Sequence, residues 1–350
     1  MLAPKLQDSL HGLLTWFLDP RSCGLDQEGE HRPAAIAAHL ACSYEAWGGR
    51  VLPGVDPVVK LGQPMEAERY LREDSHYRGR IMVLCRFIQQ RLQPYLTHAY
   101  LHGSLATQDY ARGWSDVDTF LVVRESVVTD SAALIELRRA CFAARPLFVA
   151  ICPLQHHGFI VATEQDLASY PSNYLPAVVL DAALSLLPGQ PPLRLFPRAG
   201  SSGAVRGLLE RRDALRSAVN SGVLRHHPKD GVYLQADYRN AEDGMLQLFS
   251  LLGYLMTVPA YVLDARGQAC GKRESFTLAR GIFSTAAWSV IERASAVRAA
   301  WPEREGVKYA GNAIPQWVRD LLGTDYFKDA LLVLEEAAVA AVPSHAPVSG

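Results

Sequence analysis

The sequence predicts an α+β fold, with a small mixed β-sheet carrying helices and an all-helical domain after it. Three observations carry this reading. Between Thr97 and Thr163 short apolar runs alternate with helical stretches, in the order strand, turn, helix, strand, helix, hairpin. The segment LPGQPPLRLFPRAGSSG, rich in Pro, Gly and Ser, then marks a boundary near residues 190–203. From Ala204 to about Ala341 nearly every segment has helical spacing. A chain of 350 residues exceeds the usual single core, which agrees with two domains or one domain with a large helical extension.

Residues 1–64 read as a helical, partly irregular N-terminal arm: apolar patches (LHGLLTWFL, AAIAAHLACSYEAW) are interrupted by Pro and Gly, notably in LPGVDP. From Pro64 onward Tyr70, Ile81, Leu84, Ile88 and Leu92 fall near helical spacing, so one long helix is expected up to Pro94. THAYL (97–101) reads as a strand, LATQDYARG as one or two helical turns, and DVDTFLVV as a second strand. SAALIELRRACFAA (131–144) is a helix with Ser131 as its cap. LFVAICPL (147–154) and GFIVAT (158–163) are expected to form a hairpin around His156-His157-Gly158. The sheet domain then spans 65–195, the helical domain 204–341, and PSHAPVSG lies in a disordered tail, 342–350.

The net charge of −1 provides no global field to attract nucleic acid. LLERRDALRSAV is expected to be a solvated, ion-paired helix face, and His226-His227 a loop. The six cysteines show no C-x-x-C pair and no regular spacing, which suggests free thiols in a reducing compartment. The N-terminus lacks the pattern of a signal peptide, and no run comes near the ~20 apolar residues of a membrane helix. The expectation is a soluble, cytoplasmic protein.

The chemistry is concentrated in LHGSLATQDYARGWSDVDTFLVV (101–123). In a strand Asp116 and Asp118 share a face, and two like charges at the mouth of an apolar strand need a compensating cation. Magnesium, which takes one or two carboxylates and substrate phosphates, supplies one; the alternative is an idle, solvated strand start. Gly103 lets the backbone leave the first strand tightly, and a short helix from Ser104 offers N–H groups and a hydroxyl to an anion. A phosphate cradle beside a metal-binding carboxylate pair is what phosphoryl or nucleotidyl transfer requires.

The pattern apolar-Gly-Ser, 11 residues (105–115), then Asp-apolar-Asp-polar-apolar resembles the signature of the nucleotidyltransferases related to DNA polymerase beta. The match is specific over residues 98–123 and architectural beyond. The resemblance implies that Gly103 and Ser104 hold a triphosphate and that Asp116 and Asp118 ligate magnesium, with two ions. The family's third carboxylate has no counterpart inside LFVAICPL or GFIVAT, and Glu164, Asp166 and Asp181 do not match its place cleanly. His156 and His157 sit in the hairpin where a base for the acceptor hydroxyl could be, with His157 the candidate, although a turn histidine is more often a surface or structural residue. GQACGKRES (267–275) fails as a Walker A motif by spacing and by Arg273. By resemblance Lys272 and Ser275 are candidates for the triphosphate; the other reading is a solvated loop before a helix.

Together these residues and the resemblance imply magnesium-dependent transfer of a nucleoside monophosphate from an NTP, ATP first among them, to a hydroxyl, with pyrophosphate released and an active cleft between the two domains. Near-neutral charge favours a small-molecule or protein acceptor over a long nucleic acid. The alternative is a catalytically inactive nucleotide-binding sensor or scaffold of the same fold. Neither the acceptor nor the oligomeric state is legible in the sequence.

Overall fold

Apolar periodicity and caps place the elements of the first half. The computed structural model describes residues 2–23, 31–48, 56–66, 70–155, 157–171, 174–198, 203–221, 223–225, 235–237 and 244–341. The expected tail and His226-His227 lie outside the described residues. The chain divides into two compact units, Met1–Ala199 with Lys229–Val232, and Gly200–Pro228 with Tyr233–Gly350.

In the first unit helices α1 (Leu2–Leu18) and α2 (His31–Trp47) precede two short strands, β1 (Val58–Lys60) and β2 (Gln63–Pro64). Helix α3 (Ser75–Phe87) runs through a π turn and a 3-10 turn into strand β3 (Leu96–His102). The helix expected from Pro64 therefore begins later: Gln63 and Pro64 pair with a strand instead, and the Asp74 carboxylate caps the helix by accepting Tyr77 N at 3.2 Å. Helix α4 (Gly103–Ala106) is a single turn, and strand β4 (Asp118–Val123) follows. After the short helix α5 (Glu125–Val128) comes α6 (Ser131–Ile151), whose cap is Asp130 rather than Ser131; the Asp130 carboxylate accepts Ala132 N at 2.8 Å.

Helix α6 overturns the predicted hairpin. LFVAI forms its last turns, beyond Pro146, and only GFIVAT contributes a strand, β5 (Ile160–Thr163). A short all-apolar run is compatible with either a buried strand or a buried helix end. Here Leu134, Leu137, Cys141, Ala144, Phe148 and Ile151 keep one buried helical stripe through the proline. The unit closes with α7 (Glu164–Leu167), β6 (Leu184–Ser185) and β7 (Leu193–Leu195).

The sheet is mixed, in the order β2-β6-β3-β4-β5. β3 and β4 are antiparallel, whereas β4 and β5 are parallel, with α6 in the crossover between them. One face of the sheet carries Tyr100, Phe120 and Val122 in a core with Ala162, Leu167 and Tyr170. Buried Arg138 of α6 donates to Ser22 Oγ at 2.8 Å, tying the segment after α1 to the crossover helix.

The second unit is mainly helical, as its periodicity implies: α8 (Gly203–Ser221), α9 (Met245–Leu255), α10 (Val258–Ala265), α11 (Lys272–Ala279), α12 (Thr285–Arg304), α13 (Gln316–Leu322) and α14 (Tyr326–Ala341), with a two-stranded ribbon, β8 (Val223–Arg225) and β9 (Gln235–Asp237). Met245–Ala265 is long and apolar enough to cross a membrane by length and composition, which corrects the expectation that no run comes near that length. Its most apolar window is 61% buried, as in a core helix, and the chain breaks between α9 and α10. The polar face of α8 is ion-paired as expected, Arg216 meeting Glu335 of α14 at 2.9 Å.

Candidate metal centre

Topology brings three chain segments to one end of the sheet. β3 ends at His102, its antiparallel partner β4 starts at Asp118, and parallel β5 starts just after His157. The strand begins two residues later than DVDTFLVV suggests, so Asp116 reaches the site from the preceding loop and not from a shared strand face. The two carboxylates nevertheless converge. His157 Nε2 lies 3.2 Å from Asp116 Oδ2 and 3.3 Å from Asp118 Oδ1. One potential ligand atom from each of the three residues falls within 4.8 Å of the others. The side chains of Asp116, Asp118 and His157 remain 20%, 25% and 21% exposed, which leaves the cluster open to a ligand.

Backbone contacts orient His157. Its Nδ1 lies 2.8 Å from Gly158 O, an acceptor, so Nδ1 carries a proton and Nε2 is the nitrogen turned to the carboxylates. Gln155 braces the same corner: its Oε1 accepts Val117 N at 2.8 Å and its Nε2 donates to His157 O at 2.8 Å. One amide therefore locks the residue between the two aspartates to the loop that carries the histidine. Nothing in the local sequence singles out Gln155. Its partner is 38 residues away and is chosen by the strand pairing.

Burial alone would lower the His157 pKa, but hydrogen bonds and charge from Asp116 and Asp118 raise it well above the usual 6.5. Without metal, an imidazolium thus joins the two carboxylates. A raised folded-state pKa stabilises the fold fully below the unfolded value and loses that contribution as pH rises through the folded value. Accordingly, in metal-free protein the stability deficit of His157→Gln, measured by urea unfolding, is largest near pH ~6 and shrinks toward alkaline pH. A deficit that stays constant or grows with pH would contradict the ion triad.

Gly103 supplies the floor. Its φ is +70°, a backbone conformation that favours glycine. A Cβ there would overlap Asp118 Oδ2 and sit 3.0 Å from Asp118 Cγ, so the missing side chain is the space the carboxylate occupies. Ser104 follows in the first turn of α4, half-buried. His102, paired directly opposite Asp118, is 3% exposed, and among the described residues neither ring nitrogen has a hydrogen-bond partner. Burial lowers its pKa against the opposing pull of Asp118, which keeps it a neutral imidazole. Its position just before Gly103 was visible in the sequence; its solitude was not.

The loop between Ser104 and Asp116 is pinned from outside the motif. Asp74, 4% exposed, accepts Tyr110 Oη and Arg112 Nε, each at 2.7 Å, while Tyr77 Oη accepts Gly113 N at 2.7 Å. The loop that joins Ser104 to Asp116 is thereby held by the N-terminal end of α3.

The remaining acidic candidates are engaged elsewhere. Glu164 accepts Glu125 N at 2.7 Å, buried Asp166 closes a capping box with Thr163, and Asp181 pairs with Lys60. Lys272 opens α11 in the second unit, and buried Ser275 donates its hydroxyl to Lys272 O at 2.7 Å; neither belongs to the cluster in the first unit. His156 lies outside the described residues. Two carboxylates and an oriented imidazole nitrogen, backed by a glycine with no room for a side chain, fit a divalent cation. No family model, curated protein or solved structure matches the chain.

Proposed function

We propose that the protein is a metal-dependent nucleotidyltransferase that moves a nucleoside monophosphate from an NTP, ATP first among them, to a hydroxyl acceptor and releases pyrophosphate. The observation that carries this reading is the meeting of Asp116, Asp118 and His157 beside the Gly103-Ser104 turn. Asp116, Asp118 and His157 would hold the metal, with magnesium, as two ions, the expectation from the resemblance. When bound, the metal would polarise the α-phosphorus and lower the pKa of the acceptor hydroxyl. The chain's own part is positional. Gly103 and Ser104 present the unpaired N–H groups of a helical first turn to the triphosphate, and Gln155 keeps the two aspartates and the histidine in register. With Nε2 against both carboxylates, His157 fits a ligand corner better than a free base, the role first expected of it. A role for Lys272 and Ser275 on the triphosphate is proposed from the resemblance alone. The acceptor is proposed to be a small molecule or a protein side chain.

One observation favours a second reading. Protonated His157 satisfies both carboxylates without any metal, as a nucleotide-binding sensor or scaffold would need. Equilibrium dialysis of labelled NTPs with and without divalent metal, joined to pyrophosphate release across a panel of hydroxyl acceptors, separates the two. Metal-dependent binding with pyrophosphate release supports the enzyme. Metal-independent binding without release supports the sensor, and absence of NTP binding under all conditions sinks both.

A further inference from the structure

The donor set at the sheet end is not all oxygen. Magnesium takes hard oxygen ligands and dehydrates reluctantly, whereas imidazole is a preferred ligand of the softer zinc, copper, iron and nickel, and manganese stands between the two groups, at the oxygen-loving end of the transition series. Here the nitrogen is built in: His157 Nδ1 is committed to Gly158 O at 2.8 Å, and Nε2 points between the two carboxylates at 3.2 and 3.3 Å. Independently, His102 lies opposite Asp118 on the same sheet face, almost fully buried, with both ring nitrogens unpartnered among the described residues. A buried polar group left without a partner points to something that completes the site. Two imidazoles thus border a carboxylate pair that an all-oxygen magnesium site would not need. Among transition ions manganese also accepts the carboxylate and phosphate oxygens of an octahedral site.

We propose that the cluster of Asp116, Asp118 and His157 binds manganese, with His157 Nε2 as a direct ligand, in preference to magnesium. This rests on the reading that the cluster holds a metal, and it does not require any particular transfer reaction. His102 lines the cluster opposite Asp118 and is not one of the proposed ligands.

The test is electron paramagnetic resonance of Mn²⁺ titrated into the metal-free full-length chain without nucleotide, with Mg²⁺ as competitor. Wild-type protein is expected to bind Mn²⁺ at least about tenfold more tightly than Mg²⁺, and the bound ion to show nitrogen hyperfine coupling in pulsed spectra. His157→Asp should keep a bound ion, lose the nitrogen coupling and cut the Mn²⁺/Mg²⁺ preference by about fivefold or more. His102→Asn should retain the coupling. Absence of nitrogen coupling in wild-type protein, or its survival in His157→Asp, overturns the assignment; the wild-type spectrum decides even if a variant fails to fold. Turnover supported by magnesium without nitrogen-bound manganese would sink this proposal and leave the nucleotidyltransferase reading standing. Nitrogen-bound manganese without turnover of any NTP would do the reverse.

Discussion

Replacing Asp116 and Asp118 together by Ala is expected to reduce metal-dependent pyrophosphate release from an NTP by about a thousandfold or more, to background. A bound metal stabilises transition-state charge by several kcal/mol, and each 1.4 kcal/mol is about tenfold in rate. With both carboxylates gone, His157 alone is a single nitrogen donor, too few for a divalent ion. The fold should survive. Both carboxylates sit at the open end of the sheet, part exposed, while Phe120, Leu121, Val122 and Val123 of the same strand remain packed. Removing two like charges also relieves their repulsion, which partly offsets the ion pairs lost with His157. The measurements are pyrophosphate release, metal binding and cooperative urea unfolding on one preparation. Turnover unchanged in a folded double variant would end the assignment of these residues.

Gly103→Ala, a single methyl group, is expected to damage the site without removing any ligand. Two effects add. Alanine at φ +70° carries a backbone penalty of about 1 kcal/mol. The new Cβ would also overlap Asp118 Oδ2, with Cγ at 3.0 Å and Cβ at 3.1 Å, and Asp118 starts a paired strand, so its backbone cannot retreat. The carboxylate must therefore rotate away from His157. Stability should fall by about 1–3 kcal/mol and metal affinity by about tenfold or more. A Gly103→Ala protein that binds metal as tightly as wild type would show that Asp118 is not held where the structure places it. The substitution also discriminates geometry from charge, because it removes no ionisable group.

Much of this could be read along the chain, and where it could, the signal was local. β3, β4 and α6 announce themselves by apolar runs and periodicity within about ten residues, and Gly103, Ser104, Asp116 and Asp118 by a compact pattern. The reading of LFVAICPL as a strand failed because an unbroken apolar run carries no period of its own. Only the stripe it continues from Leu134 to Ile151 identifies it as helix. The Asp130 cap was missed by one residue for a related reason, since Asp and Ser both cap and their order does not decide between them.

By itself the sequence determined the α+β class, and it showed a Gly-Ser turn and a pair of like-charged carboxylates close to the mouth of an apolar strand. Each depends on side-chain type and short spacing, which the chain states directly. Only the tertiary structure decided what completes the pair. His157 meets Asp116 across 41 residues because β4 and β5 run parallel, so both arrive at the same end of the sheet. Gln155 enters through the same pairing, His102 through the antiparallel pairing of β3 with β4, and Asp74 through side-chain hydrogen bonds from the N-cap of α3. Beside the aspartate pair the fold sets an imidazole whose Nδ1 proton a backbone carbonyl holds on the far side of the ring.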